Sequence, residues 1–563
     1  MMSLAHLSHP PTTPFVGFNN IALSNTPQTA LDTLRTAVDG RLFPGVPLAY
    51  PCFHNEGGSD CHTVQSQYLN ETYRADNFGA FINTQWETCQ STGAQCLLDS
   101  SDPNNPNATS GHCELGSIAQ YFIDVRDAND VVAAFKFSRQ TNIPLVIKNT
   151  GHDYKGRSSA PNSIALWMHN LKDMSYNPDF VPQGCSISQP AVTFGAGVQW
   201  AEAYQFADTH NITLVGGSDR SVGVVGGWLQ GGGHSVLSNT MGLGVDRVLQ
   251  FKVITPDGES RVVNGCQNQD LFFALRGGGG GTFGVVLEAT VLASPPVALQ
   301  TVIISWAVPN RTLTAELWNI LADNGLAWAA DGWGGFSTAE VAILVNPTLN
   351  LGQATASMAP LIDFGNRLQQ DGVSGVQVVV ITFPTFLAFF NAFTLEHVAS
   401  VGTPVALASR LIPKSNLQTP ANRSALVDAF MHTNDAGPGM IILLTPPTSY
   451  AYQLGGTSVT DAWRHSVYHV TAVASWVWDA TTTEKKAAYH SVSSAIDNLR
   501  NITADAAYLN EADVYEPNHE VAFWGSNYPR LLKIKQKYDP LNLLDCWQCV
   551  GWNPQSRRFS CYL

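Results

Sequence analysis

Between residues 148 and 286 the chain gathers its glycines into three dense groups, each placed after a segment patterned like a buried strand. The groups are Gly151 and Gly156; Gly216, Gly217, Gly223, Gly226, Gly227 and Gly231 to Gly233; and Gly277 to Gly281 with Gly284. Glycine loses more conformational freedom on folding than any other residue. Such density therefore belongs where the backbone takes positive φ or presses against a large ligand. A diphosphate cradled by backbone N–H groups satisfies both conditions. A Rossmann site is not implied, because no GxGxxG joins a strand to a helix with an acidic residue about twenty positions later.

A chain of 563 residues exceeds what one compact core holds, and the pattern divides it. Residues 1–117 read as a loop-rich extension stapled by cysteines. Residues 118–295 carry the glycine groups and a repeated strand–helix grammar: a strand Tyr121 to Val125, a helix capped by Asp127, a strand Pro144 to Lys148, a strand Ala191 to Ala196 and a helix Val198 to His210. Thr213 to Val215 reads as a further strand, and Val248 to Ile254 with Glu259 to Val263 as a hairpin around Pro256, Asp257 and Gly258. Residues 296–504 read as a second α+β unit with strands at Val302 to Trp306, Val341 to Val345, Val376 to Phe383, Met440 to Leu444 and Val467 to Trp478. Residues 505–563 have their own character.

Composition removes several classes of function. Apolar residues make up 44% and charged residues 13%, with no apolar run near the length of a membrane span. The formal charge of -14 offers no basic field for a nucleic-acid backbone or an anionic membrane. Eight of the ten cysteines cluster near the two chain ends, with Cys185 and Cys266 between, and the one close CxxC pair, Cys546 and Cys549, has no second pair to complete a zinc site. Disulfides are the expected state, with Cys52 and Cys61 a local pair and no metal. Six N-x-S/T triplets, beginning at Asn70, Asn107, Asn211, Asn310, Asn422 and Asn501, join the cysteines in pointing to a secreted glycoprotein. The opening MMSLAHLSHPPTTPF shows no apolar segment of signal-peptide length, so that expectation rests on the cysteines and triplets.

The segments KNTGHDYKGRS (148–158), GGSDRSVGVVGGWLQGGGHS (216–235), LGVD (243–246) and DLFFALRGGGGGTFGVV (270–286), with YLNEAD (508–513) and FWGSNYPRLLKIKQKYDPLN (523–542), resemble the vanillyl-alcohol-oxidase / berberine-bridge-enzyme superfamily, fungal secreted type. The resemblance implies an α+β fold. It has a two-subdomain FAD-binding domain of the PCMH type, a cap domain with a central antiparallel sheet, and a berberine-bridge-like C-terminal segment. It implies FAD bound through one covalent link from His152 to the 8α-methyl carbon. The residues it places around FAD are Lys148, Asn149, Thr150, Gly151, His152, Asp153, Tyr154, Gly156, Arg157 and Ser158 in the first segment. In the second they are Gly217, Ser218, Asp219, Ser221, Val222, Gly223, Gly226, Gly227, Gly232, Gly233, His234 and Ser235. Gly284, Val285 and Asn510 complete the set. Asp219 stands where many relatives carry a second tethering cysteine, so no second bond is implied.

The catalytic base is less legible. The terminal segment matches the family's pattern at Asn510 but has Glu511 in place of a second tyrosine. On the strand HSVYHVTAV the two-residue period sets Tyr468 on one face and His465 and His469 on the other. The candidates are Tyr468, His469, Asn510 and Glu511.

The implied activity is hydride transfer from an alcohol-type small-molecule substrate to flavin, with O2 as acceptor and H2O2 as product. Val222, at the position that guards oxygen approach in relatives, is small. Oxidative tailoring of a secondary metabolite, by cyclisation or desaturation, is the alternative; a flavin-binding protein without turnover is the alternative of another class. Neither substrate identity nor oligomeric state, monomer or dimer, is readable.

Overall fold

The computed structural model describes residues 28–396, 400–437 and 439–563; the expectation about the first fifteen residues lies outside the described residues. The fold is α+β and rests on three sheets. In the four-stranded sheet Ile164–Trp167 runs parallel to both Tyr121–Asp124 and Leu145–Lys148. Leu42–Pro44, from the extension, adds an antiparallel edge to it. The helix Ala128–Thr141 starts at a capping box: the Asp127 carboxylate accepts from the Asn129 N–H at 2.7 Å and Asp130 accepts from the Asp127 N–H at 3.3 Å. It sends Val131, Ala134 and Phe135 into the core.

The five-stranded antiparallel sheet has the order Met174–Phe180, Gln189–Gly195, Val285–Leu292, Val248–Ile254, Ser260–Asn264. One continuous apolar core joins these two sheets. The expected strand at Thr213 to Val215 is reduced to a single bridge, Thr213 to Ser294.

The seven-stranded antiparallel sheet runs Gln377–Phe383, Leu299–Ser305, Val341–Asn346, Gly334–Ser337, Met440–Leu444, Ser466–Ser475, Val405–Pro413. Two of these strands, Gly334–Ser337 and Val405–Pro413, go beyond those expected from pattern. Helices Arg311–Asp331, Pro420–Asp435 and Thr482–Arg500 bury Leu317, Trp318, Leu426, Phe430, Val492 and Ile496 in a second core with Ile442, Leu444, Tyr468 and Val470. The alternate side chains Ile441 and Leu443 turn to a cavity on the other side.

All ten cysteines pair: Cys52–Cys61, Cys89–Cys561, Cys96–Cys113, Cys185–Cys266 and Cys546–Cys549. Among the described residues no helix is long and apolar enough to cross a membrane. The Cys89–Cys561 bond spans 472 residues. Replacing both cysteines by serine is expected to cost about 2–5 kcal/mol, read as a lowered thermal midpoint under non-reducing conditions.

Candidate functional site

The turn after Leu145–Lys148 is shaped by what lies under it. Gly156 has φ +75°, and a Cβ there would sit 2.4 Å from the Trp86 ring; Trp86 in turn donates its indole N–H to the Tyr154 carbonyl at 3.0 Å. Ile82 N–H bonds the Gly151 carbonyl at 3.1 Å. The ammonium of Lys148 donates to the carbonyls of Phe78 and Ala80, both at 2.6 Å, and burial pulls its pKa down to about 7. The N-terminal extension is therefore the floor of this turn. Its contacts are backbone and ring contacts made across about seventy residues, which no local pattern announces.

The second glycine group closes over the first. A Cβ on Gly223 would lie 2.0 Å from the Asn149 amide, and one on Gly231 would lie 2.5 Å from the Asn510 amide. These glycines let three separated segments touch, and a cavity of about 640 Å³ opens between them, within the range of cofactor sites. Gly217, Gly223, Gly226, Gly227, Gly280, Gly281 and Gly284 leave much of its wall as bare backbone. Four lining side chains keep a buried polar atom without a partner: Asn149 Oδ1, Arg157 Nη1, Gln230 Oε1 and Thr445 Oγ1. Buried polar atoms are normally paired, so an elongated polar ligand belongs here, and FAD fits the combination of bare backbone and orphaned donors and acceptors.

Two clusters of ionisable groups face this cavity. In the first, His152 Nε2 lies 2.6 Å from Ser221 Oγ and 3.4 Å from Asp219 Oδ1. Ser221 Oγ lies 3.1 Å from Glu71 Oε2, a side chain of the extension. Burial keeps His152 neutral by lowering its pKa, against the opposing pull of Asp219. In the second, His234 Nε2 is 3.0 Å from Glu511 Oε1, and His469 Nε2 is 3.7 Å from Glu511 Oε2. Burial drives the His469 pKa down to about 3. Burial alone would raise the Glu511 pKa, but His234 and then His469 outweigh it and hold the carboxyl below its usual range. The Tyr508 ring stands edge-on to His234 and His469, and burial raises its pKa.

An FAD-binding-domain family matches residues 119–290 and a "berberine and berberine like" family matches residues 507–550. FAD-linked oxidoreductase ffsJ of Aspergillus flavipes is 38% identical over 93% of this chain and 92% of its own length. The chain belongs to the FAD-linked oxidoreductases of the vanillyl-alcohol-oxidase / berberine-bridge superfamily. The bifunctional decalin synthase calF of Penicillium decumbens is 30% identical over 93% of this chain and 91% of its own. The VAO-type flavoprotein MtVAO615 from Myceliophthora thermophila C1 superposes with a TM-score of 0.82 at 28% identity, covering 94% of this chain and 97% of that one.

Within this oxidoreductase the FAD-type cavity brings together most of the expected residues: Asn149, Thr150, Gly151, His152, Asp153, Tyr154, Arg157 and Ser158 meet Gly217, Ser218, Asp219, Val222, Gly223, Gly226, Gly227, His234, Ser235, Gly284 and Asn510. Others stand behind the wall. Lys148 is turned to the extension, Gly156 to Trp86, and Gly232 and Gly233 to the rings of Tyr508 and Trp228. Val285 points away because strand alternation gives the cavity Gly284 and Val286. Ser221 stands behind His152, Glu71 and Asp219, which its hydroxyl contacts.

Among the catalytic candidates Glu511 lines the cavity, and His469 sits behind it. Asn510 is an anchor: its amide donates to Gly227 O and Tyr508 Oη, both at 2.8 Å, and accepts from Arg157 at 3.0 Å. Tyr468 lies on the opposite face, in the helix-side core, and donates to the Leu321 carbonyl at 2.6 Å. His465 ends a short helix and is exposed, so it does not share the surroundings of His469. Tyr468→Phe is expected to keep kcat/KM within about twofold while losing one hydrogen bond, about 1 kcal/mol by denaturant titration. Glu71, Trp228, Gln230, Phe336 and Leu443 join the wall without having been expected. Trp228 and Gln230 fall inside the recognised second segment; Glu71 has no comparable signal.

Proposed function

We propose that this protein is a secreted oxidase that holds FAD through a single bond from His152, passes hydride from an alcohol-type organic substrate to the flavin, and returns the electrons to O2 as H2O2. Bound FAD supplies the two-electron acceptor; the protein supplies position, a proton acceptor and a wall that limits water. The observation that carries the reading is the His234–Glu511 pair at 3.0 Å, facing the cavity that also holds His152.

The glycine walls and the partnerless atoms of Asn149, Arg157 and Gln230 hold the cofactor. The substrate enters against Phe336, Phe393, Ile441 and Leu443 of the cap. Its hydroxyl proton passes to the Glu511–His234 pair. Glu511, held ionised by its histidine neighbours, accepts the proton, and His234 at 3.0 Å orients the carboxylate. Neutral His469 and the edge of Tyr508 limit the directions in which the carboxylate can move. Val222 lines the cavity and leaves room for O2. Secretion is supported by five disulfides without a free cysteine.

Oxygen consumption with a panel of alcohols, coupled to peroxide measurement and stopped-flow reoxidation, tests the reading. Rapid reoxidation with stoichiometric peroxide is expected. Reduced flavin that persists in air yet passes its electrons to a dye would make the protein a dehydrogenase, and no turnover with any substrate would leave a flavin carrier. The apolar cap wall and the relationship to a decalin synthase favour a second reading, oxidative tailoring by ring or double-bond formation; a product two hydrogens lighter that contains no new carbonyl would identify it.

A further inference from the structure

The reading of His152 as the tether leaves open how its imidazole is prepared for bond formation, and the residues around it answer that. Ser221 Oγ is 2.6 Å from His152 Nε2, 3.1 Å from Glu71 Oε2 and 3.3 Å from Asp219 Oδ1. Among the described residues no hydrogen bond engages the other ring nitrogen, Nδ1. A serine hydroxyl can accept from one neighbour and donate to another. With the imidazole proton on Nε2 and shared with Ser221, the lone pair of Nδ1 is free to bond carbon.

We propose that Glu71, acting through Ser221 and beside Asp219, takes up the imidazole proton during flavin attachment, so that the N-terminal extension is part of the attachment machinery. This inference rests on the covalent reading above. In the reaction one C–H bond of the flavin 8α-methyl group and the His152 N–H bond break, and a C–N bond forms. Two electrons enter the flavin ring and leave to O2, and the two protons depart with them as H2O2. Glu71 never touches the reacting carbon; it is a positioning residue that fixes the tautomer of His152 and receives its proton.

Three features suit it to the role. Glu71 opens the short helix Glu71–Ala75, whose N-cap Asn70 accepts from the Tyr73 N–H at 3.1 Å. The same helix is fixed from below by fully buried Arg74, which pairs with buried Glu87 and donates to the carbonyls of Phe81 at 2.7 Å and Tyr68 at 3.0 Å. The carboxylate is thus held by a rigid element. Burial, and then the adjacent charge of Asp219, push the Glu71 carboxyl up to about 7, so exchanging a proton with an imidazole needs little free energy.

The test uses the full chain produced under riboflavin limitation, to which FAD is added. Bound flavin is measured by absorbance, and attached flavin by fluorescence of the denatured band. Glu71→Gln is expected still to bind FAD, measured and saturated by absorbance, but to attach it on the order of tenfold to a hundredfold more slowly. Ser221→Ala should show the same split, and formate should restore part of the rate to Glu71→Ala. Attachment at the parental rate in Glu71→Gln and Ser221→Ala would overturn the inference while leaving the tether intact. A parent that never retains flavin after denaturation would instead remove the tether reading itself, and this inference with it.

Discussion

Glu511→Gln is expected to lower kcat/KM by about 10²- to 10⁴-fold, the range that general acid–base groups supply, with FAD still bound. The substitution keeps the shape but removes the negative charge that faces His234 at 3.0 Å and His469 at 3.7 Å. A pair of histidines without a carboxylate has nothing to offset a proton arriving from the substrate. The sign of the pH dependence follows from the same contacts. His234 and His469 outweigh the effect of burial and depress the Glu511 pKa, so its carboxylate is present above the ordinary glutamate range and is lost only as pH falls through the lowered value. The acid limb of kcat/KM is therefore expected below about pH 4.3, the unperturbed glutamate value, and should vanish in Glu511→Gln. Steady-state kinetics across pH decide this. A variant with parental kcat/KM would place the proton acceptor elsewhere.

His152→Ala is expected to reduce the flavin retained after acid precipitation from stoichiometric to none. No cysteine can substitute, because all ten are engaged in disulfides. Peptide mapping of the parent should find flavin mass on the His152 peptide alone. A flavinylated peptide of any other sequence would contradict the single link. The variant should still bind FAD reversibly, because the glycine walls and the partnerless atoms of Asn149, Arg157 and Gln230 remain.

How far the chain could be read before its structure differs with the kind of information each feature needs. The glycine groups were legible because positive φ and close approach are properties of the backbone at one position, as Gly156 against Trp86 illustrates. The strands Met440–Leu444 and Val248–Ile254 were legible because alternation and turn residues are local. Gly334–Ser337 was not, since four residues beginning with two glycines carry no alternation, and the pairing with Val341–Asn346 and Met440–Leu444 makes it a strand. The period of two separated Tyr468 from His469 correctly but could not say which face looks at the cavity. That was decided by the helices that bury Tyr468 near Leu321. Glu71 lies 150 positions from Ser221, within a segment that reads as loop and short helix, and only the packing of the extension under the 148–158 turn brings the two within 3.1 Å.

The Cys89–Cys561 bond shapes how the molecule responds to proteolysis. Residues 89 to 561 become one closed ring of covalent bonds, and the cavity-lining segments from Leu145 onward lie on it. A single proteolytic cut in any exposed loop between those cysteines opens the ring but releases no fragment, so the nicked protein keeps its mass until the disulfide is reduced. A single cut between Cys89 and Cys561 thus leaves every cavity-lining segment after Cys89 attached, and a protease would need two such cuts, or a reductant, to release one of them.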